Sequence, residues 1–146
     1  MQKFIDHIGV AVPELEKAAA IFKILGLHAH EPEEVADQKV FTQSFQAGDN
    51  EIELLKPTAE ESPIAKFLEK KGTGIHHVAI RVDDIESEIE LLKAKGVIMI
   101  DDKPRPGAGG KMIAFIHPKS TGGILIELTQ INSVVSTTLL SDFIKH

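Results

Sequence analysis

The sequence predicts an α+β domain in which two tandem β-α-β-β-β modules form one curved sheet around a cleft. Two observations carry this expectation. Residues 6–12 read Asp-His-Ile-Gly-Val-Ala-Val, and residues 76–82 read His-His-Val-Ala-Ile-Arg-Val, the same kind of alternating stretch displaced by 70 positions. Each half then closes on an identical tripeptide, Ile-Glu-Leu, at 52–54 and 126–128. A single unit of this kind leaves one face of its sheet uncovered, and a second copy is what buries it.

The elements follow in order. Residues Ile5–Val12 alternate as a strand, and Pro13 opens a helical segment because proline suits a first turn. Within 14–25, Leu15, Ala18, Ala19, Phe22 and Leu25 recur at helical spacing, and Gly26 stands at the C′ position. Strand-like stretches follow at about 27–31, 38–47 and 50–56. The second half repeats the plan: Asp83 or Asp84 is the N-cap, Ile85, Ile89 and Leu92 form the apolar stripe, and Gly96 ends the helix. Its strands are expected at about 97–101, 110–117 and 122–129. The organisation is therefore one domain over 1–146. Module 1 covers about 4–57, a connector 58–74, module 2 about 75–130 and a C-terminal tail 131–146. In the connector, Ser62-Pro63 opens a short helix carrying Ile64, Phe67 and Leu68, which Gly72-Thr73-Gly74 ends. The tail places Val134, Val135, Leu139, Leu140, Phe143 and Ile144 outside the repeat, and is expected to pack on the fold or on a second subunit.

Composition excludes several functional classes. At 146 residues the chain buries roughly 68–70% of its unfolded surface. A net charge of −6 and the absence of Trp and Tyr argue against a nucleic-acid surface. No apolar run approaches the ~20 residues of a membrane span. The N-terminus enters a strand pattern at once, which reads as neither signal nor transit peptide, so the expected compartment is cytoplasmic. Without cysteine, any metal must be held by nitrogen and oxygen donors.

His7 and His77 occupy equivalent positions under the 70-residue offset, and Glu53 and Glu127 occupy equivalent positions in the closing tripeptides. Along a strand, alternation sends Ile5, His7 and Gly9 to one face and Asp6, Ile8 and Val10 to the other. Taken singly, a strand histidine is more often a hydrogen-bonded structural residue, and a strand glutamate more often faces solvent. Paired recurrence changes that balance, because solvated glutamates have no reason to share identical flanks. Two imidazoles and two carboxylates converging on one cleft would bind a divalent ion such as Mn²⁺, Co²⁺, Ni²⁺ or Zn²⁺, with positions left open for water or substrate. His76 is expected to face away from His77, His28 and His30 to face solvent, and His146 is terminal. The stretch His117-Pro118-Lys119-Ser120-Thr121-Gly122-Gly123 reads as a turn suited to an anionic ligand. Gly107-Ala108-Gly109-Gly110-Lys111 lacks the spacing and hydroxyl of a phosphate loop and reads as a mobile loop at the cleft mouth.

These residues resemble the vicinal oxygen chelate superfamily, the glyoxalase-like fold, and within it the methylmalonyl-CoA epimerase family. The resemblance is carried by Asp6–Val12, by Glu53–Pro57 with Ser62–Leu68, by Gly74–Ala79, and most specifically by His117–Leu128. It implies a metal-dependent isomerase that interconverts the two C2 epimers of methylmalonyl-CoA through an enolate. It further implies a metal on His7, Glu53, His77 and Glu127, an acyl-CoA substrate, and a homodimer. In one respect the chain departs from the pattern. Several family members place a separate catalytic glutamate where this chain has Thr42, and they tend to carry glutamine where it has Glu53. The catalytic pair expected here is therefore Glu53 and Glu127, with Lys119 and Ser120 as the residues that touch the CoA portion. The competing expectations are a lactoylglutathione lyase using the same His-Glu-His-Glu set and a metal-free binding protein on the same scaffold. A ring-cleaving dioxygenase ranks below both.

Overall fold

The structure, a computed structural model, describes residues 3–131, so the tail beyond Ile131 and His146 lie outside the described residues. Module 1 comprises β1 (Phe4–Ala11), α1 (Leu15–Ile24), β2 (His28–Ala29), β3 (Glu33–Val35), β4 (Val40–Ala47) and β5 (Asn50–Pro57). Helix α2 (Pro63–Lys71) connects it to module 2, which comprises β6 (Gly74–Arg81), α3 (Ile85–Ala94), β7 (Arg105–Pro106), β8 (Met112–Ile116) and β9 (Ile126–Gln130). The strands form one mixed sheet in the order β2-β4-β5-β1-β6-β9-β8-β7, with β3 paired to β4. Each module places its first strand parallel to its last, β1 on β5 and β6 on β9, and the modules join where β1 and β6 run antiparallel.

Local signals hold at the helices. Ser62 accepts a hydrogen bond from Ile64 N and precedes Pro63 at the first turn of α2, and Asp84 accepts from Ser87 N at the start of α3. Helix α1 begins later than its proline suggests: Pro13 lies outside, and Glu14 is an N-cap without a side-chain bond. The strand expected at 97–101 is reduced to a single bridge between Met99 and Ile116. Side chains have taken the ladder positions there, since Ile98 N donates to Ser120 Oγ at 2.8 Å and Phe115 N donates to Asp101 Oδ2 at 2.8 Å. The three-residue strand β3 and the two-residue strand β7 carry too little apolar alternation to be read from sequence.

Alternation along each strand divides the core. One face of the sheet carries Val12, Phe45 and Leu54 under α1, with Ala19 from the helix, and Val82, Ala114, Ile116 and Leu128 under α3, with Ile85 and Ile89. On the opposite face, Ala11, Val35, Val40 and Leu55 pack with Ile64 of α2 and close one end. Both helical stripes thus occupy the outer side, and the inner side is free for polar residues.

The register of the central strands aligns those residues in two adjacent rows that run across the strands. Gly9 stands opposite both Glu53 on β5 and His77 on β6, and Ala79 stands opposite both His7 on β1 and Glu127 on β9. Each row has a glutamate at one end, a histidine at the other and a small residue between. A Cβ on Gly9 would run into the imidazole of His77, so the ring lies directly over the glycine. Replacing Gly9 with alanine is expected to lower the unfolding free energy by about 1–3 kcal/mol, the usual range for forcing atoms into a filled site. An unchanged urea midpoint for Gly9→Ala would refute this packing.

Candidate metal centre

The two rows bring all four sequence-derived donors together. His7 Nε2 lies 3.1 Å from His77 Nε2, 3.4 Å from Glu127 Oε2 and 3.6 Å from Glu53 Oε1, and His77 Nε2 lies 3.4 Å from Glu127 Oε1. Donor atoms of His7, His77 and Glu127 all fall within 4.8 Å of one another, and Glu53 stands at the edge of that group. All four side chains are buried.

Strict alternation misplaces Asp6 and His76, and the reason is the same in both. The β1–β6 register shifts between Ile5 and His7, leaving Asp6 without a partner, and again between Gly9 and Val10, leaving His76 without one. Each extra residue is a bulge that re-aims side chains. Asp6, fully buried, is carried to its neighbour: His7 Nδ1 lies 2.7 Å from Asp6 Oδ2. The same carboxylate accepts from Lys111 Nζ at 2.8 Å and from Arg81 Nε at 2.8 Å and its terminal nitrogen at 2.5 Å. His76 Nδ1 meets His77 Nδ1 at 2.9 Å. A signal for both was present, since each ligand-type histidine is preceded by another ligand-type residue. Lys111, in the segment read as a mobile loop, had no such signal. Its side chain is largely buried, and it also reaches Glu51 at 3.5 Å.

The electrostatics follow from burial and proximity. Burial pushes the Glu127 carboxyl up to about 8, with the nearby Glu53 adding to the rise and His7 opposing it. Burial raises Glu53 as well, against the attraction of His7 and Lys111. Burial would lower His7, yet Asp6, Glu53 and Glu127 outweigh it and raise this imidazole above its ordinary range. Burial depresses His77, and His7 and His76 depress it further; burial holds His76 at about 4. For Asp6, burial is overcome by the bonds from His7, Lys111 and Arg81, which keep it well below the usual carboxylate range.

Lys119 and Ser120 lie elsewhere. They form a turn after β8, Ser120 Oγ is occupied by Ile98 N, and neither residue lines the cavities around the four donors. That turn instead borders a trough of about 440 Å³ that reaches His76 and His77 past Phe67, Ile75, Ile124 and Leu125. Thr42 is buried and lines the cavity beside Glu53, with its hydroxyl toward Glu33 O. His28 and His30 pack edge to face, and His30 is bonded to Gln46. Segment 107–110 forms a short turn whose Gly109 N donates to the Glu33 carboxylate at 3.1 Å.

Residues 6–115 match the glyoxalase/bleomycin resistance protein/dioxygenase superfamily. The chain belongs to that superfamily. It is 41% identical to the mitochondrial methylmalonyl-CoA epimerase of Homo sapiens over 128 residues, which cover 86% of this chain and 73% of that one. It is 40% identical to the ethylmalonyl-CoA/methylmalonyl-CoA epimerase of Cereibacter sphaeroides, covering 87% and 97% of the two chains. Among solved structures, a Streptomyces coelicolor methylmalonyl-CoA epimerase variant bound to 2-nitronate-propionyl-CoA superimposes with a TM-score of 0.85 at 32% identity, over 88% of this chain and 94% of that one. These relatives and this structural neighbour are epimerases, and the curled mixed sheet is the fold of that superfamily.

The donor set fits a divalent cation. Glu127 Oε2 is buried with no hydrogen-bond partner among the described residues. Among the described residues, the group gathers the carboxylates of Asp6, Glu51, Glu53 and Glu127 with two fixed cations, Arg81 and Lys111. Without a cation, the deficit is met by protons. The consequence is measurable in the chelated protein. Glu127 and His7 hold protons in the folded state beyond their unfolded values, so the stability they contribute is lost as pH rises. His76 and His77 act oppositely, but only below about 6.5, where the unfolded imidazoles titrate. Between about pH 6.5 and 8 the chelated protein is therefore expected to lose on the order of 1–2 kcal/mol of unfolding free energy. Glu127→Gln should flatten that slope. Denaturant titrations across this window that show rising stability would contradict the assignment.

Proposed function

We propose that this protein interconverts the C2 epimers of methylmalonyl-CoA at a divalent metal centre held by His7, Glu53, His77 and Glu127. The observation that carries the reading is the pair of adjacent rows, which sets a glutamate at each end of one compact group and the two imidazoles between them. The identity of about 40% to named epimerases supports the substrate class.

The chemistry sets what the site must supply. A proton on the carbon between a thioester and a carboxylate is too weakly acidic for a side chain to remove unaided. A divalent cation bound by the four donors would stabilise the negative charge that develops on the substrate oxygens as that proton leaves. Inversion then requires a base on one face of the carbon and an acid on the other. Glu53 and Glu127 approach from different modules and opposite sides of the imidazole pair, which suits them to take the proton and return it. Thr42 has no basic group to offer, so the duty assigned elsewhere in the family to a separate glutamate falls to Glu53. His7 and His77 are oriented by their Nδ1 contacts with their Nε2 atoms turned into the centre.

Cavities flank the group on two sides. One, of about 340 Å³, is bounded by Ser44, Glu51, Glu53 and Lys111, and the other is the apolar trough beside His77. The trough offers apolar walls to an extended acyl-CoA arm, with Lys71 on its rim and the Lys119 turn beside it.

Two experiments test the proposal. Metal-loaded protein is expected to incorporate solvent deuterium at C2 of methylmalonyl-CoA, and chelator-stripped protein to fall to background. Absence of exchange with Co²⁺ confirmed in place would sink the reading. Glu53→Gln preserves shape and an oxygen donor but cannot carry the proton, so kcat should drop by about 10²–10⁴-fold while Co²⁺ remains bound. Full turnover in that variant would remove Glu53 from the acid–base pair.

A further inference from the structure

We propose that Asp6 and His76, the two residues extruded by the bulges, are positioning residues that orient His7 and His77 toward a divalent cation, and that Asp6 is the stronger of the two. The inference rests on the metal-centre reading above and deepens it by assigning a role to side chains beyond the four donors.

Both bulges occur at the junction of the modules, where β1 and β6 pair antiparallel, and both occur immediately before a donor histidine. Asp6 and His76 are related by the same 70-residue offset as His7 and His77. A regular ladder would turn each of them away from the imidazole that follows. The extra residue abolishes that alternation and delivers a polar atom to Nδ1 in each case, at 2.7 Å for Asp6 and 2.9 Å for His76. A bulge interrupts the ladder, so two bulges at equivalent sites beside the same centre call for a common purpose.

Control of the Nδ1 proton supplies it. An imidazole ligates a cation through one nitrogen only when that nitrogen is bare, and the partner of the other nitrogen decides which one is. Asp6 accepts hydrogen bonds, so His7 carries its proton on Nδ1 and presents Nε2 to the centre. His77 presents Nε2 likewise when its Nδ1 donates to His76 Nδ1, which requires the His76 proton on Nε2. His76 is held in place by edge-to-face contact with Phe67, at 5.1 Å between ring centroids.

The partners differ in strength. Asp6 is a charged acceptor whose remaining lone pairs are committed to Arg81 and Lys111, which leaves it no freedom to rotate. His76 is a neutral acceptor on a half-buried ring. Charge-assisted bonds are roughly twice as strong as neutral ones. The His7 arm is thus the rigid one and the His77 arm the more compliant.

The test is the affinity of the folded, metal-stripped protein for Co²⁺, measured by competition with a chromogenic chelator. Asp6→Asn is expected to raise the Kd by about 10–100-fold, the usual cost of losing a partner behind a metal-bound histidine. His76→Phe keeps the ring contact with Phe67 but removes the acceptor, and is expected to raise the Kd by less, about three- to tenfold. In the metal-free wild type, a downfield proton resonance from His7 Nδ1–H should be present and should vanish in Asp6→Asn, a change that a merely structural role would not require. A Kd within twofold of wild type in either folded variant overturns the role of that residue. His76→Phe keeps the question answerable should Asp6→Asn not fold. If the wild type binds no Co²⁺, the metal-centre reading fails; if it binds and both variants match it, only this inference fails.

Discussion

The antiparallel pairing of β1 with β6 is the constraint on which the centre depends. Among the described residues it is where the two modules share backbone hydrogen bonds, and its register sets His7 opposite Ala79 and Gly9 opposite His77. Parallel pairing of β1 with β5 and of β6 with β9 then brings Glu53 and Glu127 to the outer ends of the same rows. Since side chains on a strand alternate, a slip of one residue would send a histidine to the helix-covered face. The apolar stripes beneath α1 and α3 oppose such a slip, because Val12, Leu54, Val82 and Leu128 would have to leave the core with it. The hydrophobic outer face thereby holds the polar inner face in register.

Small residues make the convergence sterically possible. Gly9 and Ala79 lie between the donors, and the His77 ring lies over Gly9 in space that any side chain would claim. Electrostatics impose the opposing cost. Glu53 and Glu127 are buried among other carboxylates, and their raised pKa values express that strain. Lys111 and Arg81 offset part of it through Asp6. A divalent cation would offset the rest, which is why the group makes more physical sense as a binding site than as a structural core.

Much of this was legible in the sequence, for identifiable reasons. The 70-residue offset and the twice-used Ile-Glu-Leu exposed the duplication, and the duplication singled out His7, Glu53, His77 and Glu127 from among 7 histidines and many acidic residues. Helix signals were local, and Ser62 and Asp84 are caps as expected. What escaped was whatever depends on pairing between distant strands. A bulge is a property of two strands together, so alternation read along β1 alone turned Asp6 the wrong way. Lys111 escaped because a lysine after a run of glycines reads as solvated. Only the folded chain shows its Nζ drawn inward to Asp6. The expected strand at 97–101 was lost to side-chain bonds from Asp101 and Ser120, which periodicity does not weigh.

Duplication and departure from duplication serve different parts of the chemistry. Inverting a carbon centre, as proposed here, would need proton-transfer groups on both faces, and the pseudo-twofold fold places one buried carboxylate from each module, Glu53 and Glu127, at the group by repeating a single sequence solution. Perfect symmetry would nonetheless suit a substrate with two equivalent ends, and a carbon flanked by a thioester and a carboxylate has none. The chain is asymmetric where that difference would be felt. At the equivalent bulges stand a charged carboxylate, Asp6, and an imidazole, His76. The Glu53 side carries Lys111 and a polar cavity, while the His77 side carries an apolar trough. One end of the cleft is thus polar and charged and the other largely apolar, an asymmetry that would let the proposed substrate, a thioester at one end and a free carboxylate at the other, bind in one orientation.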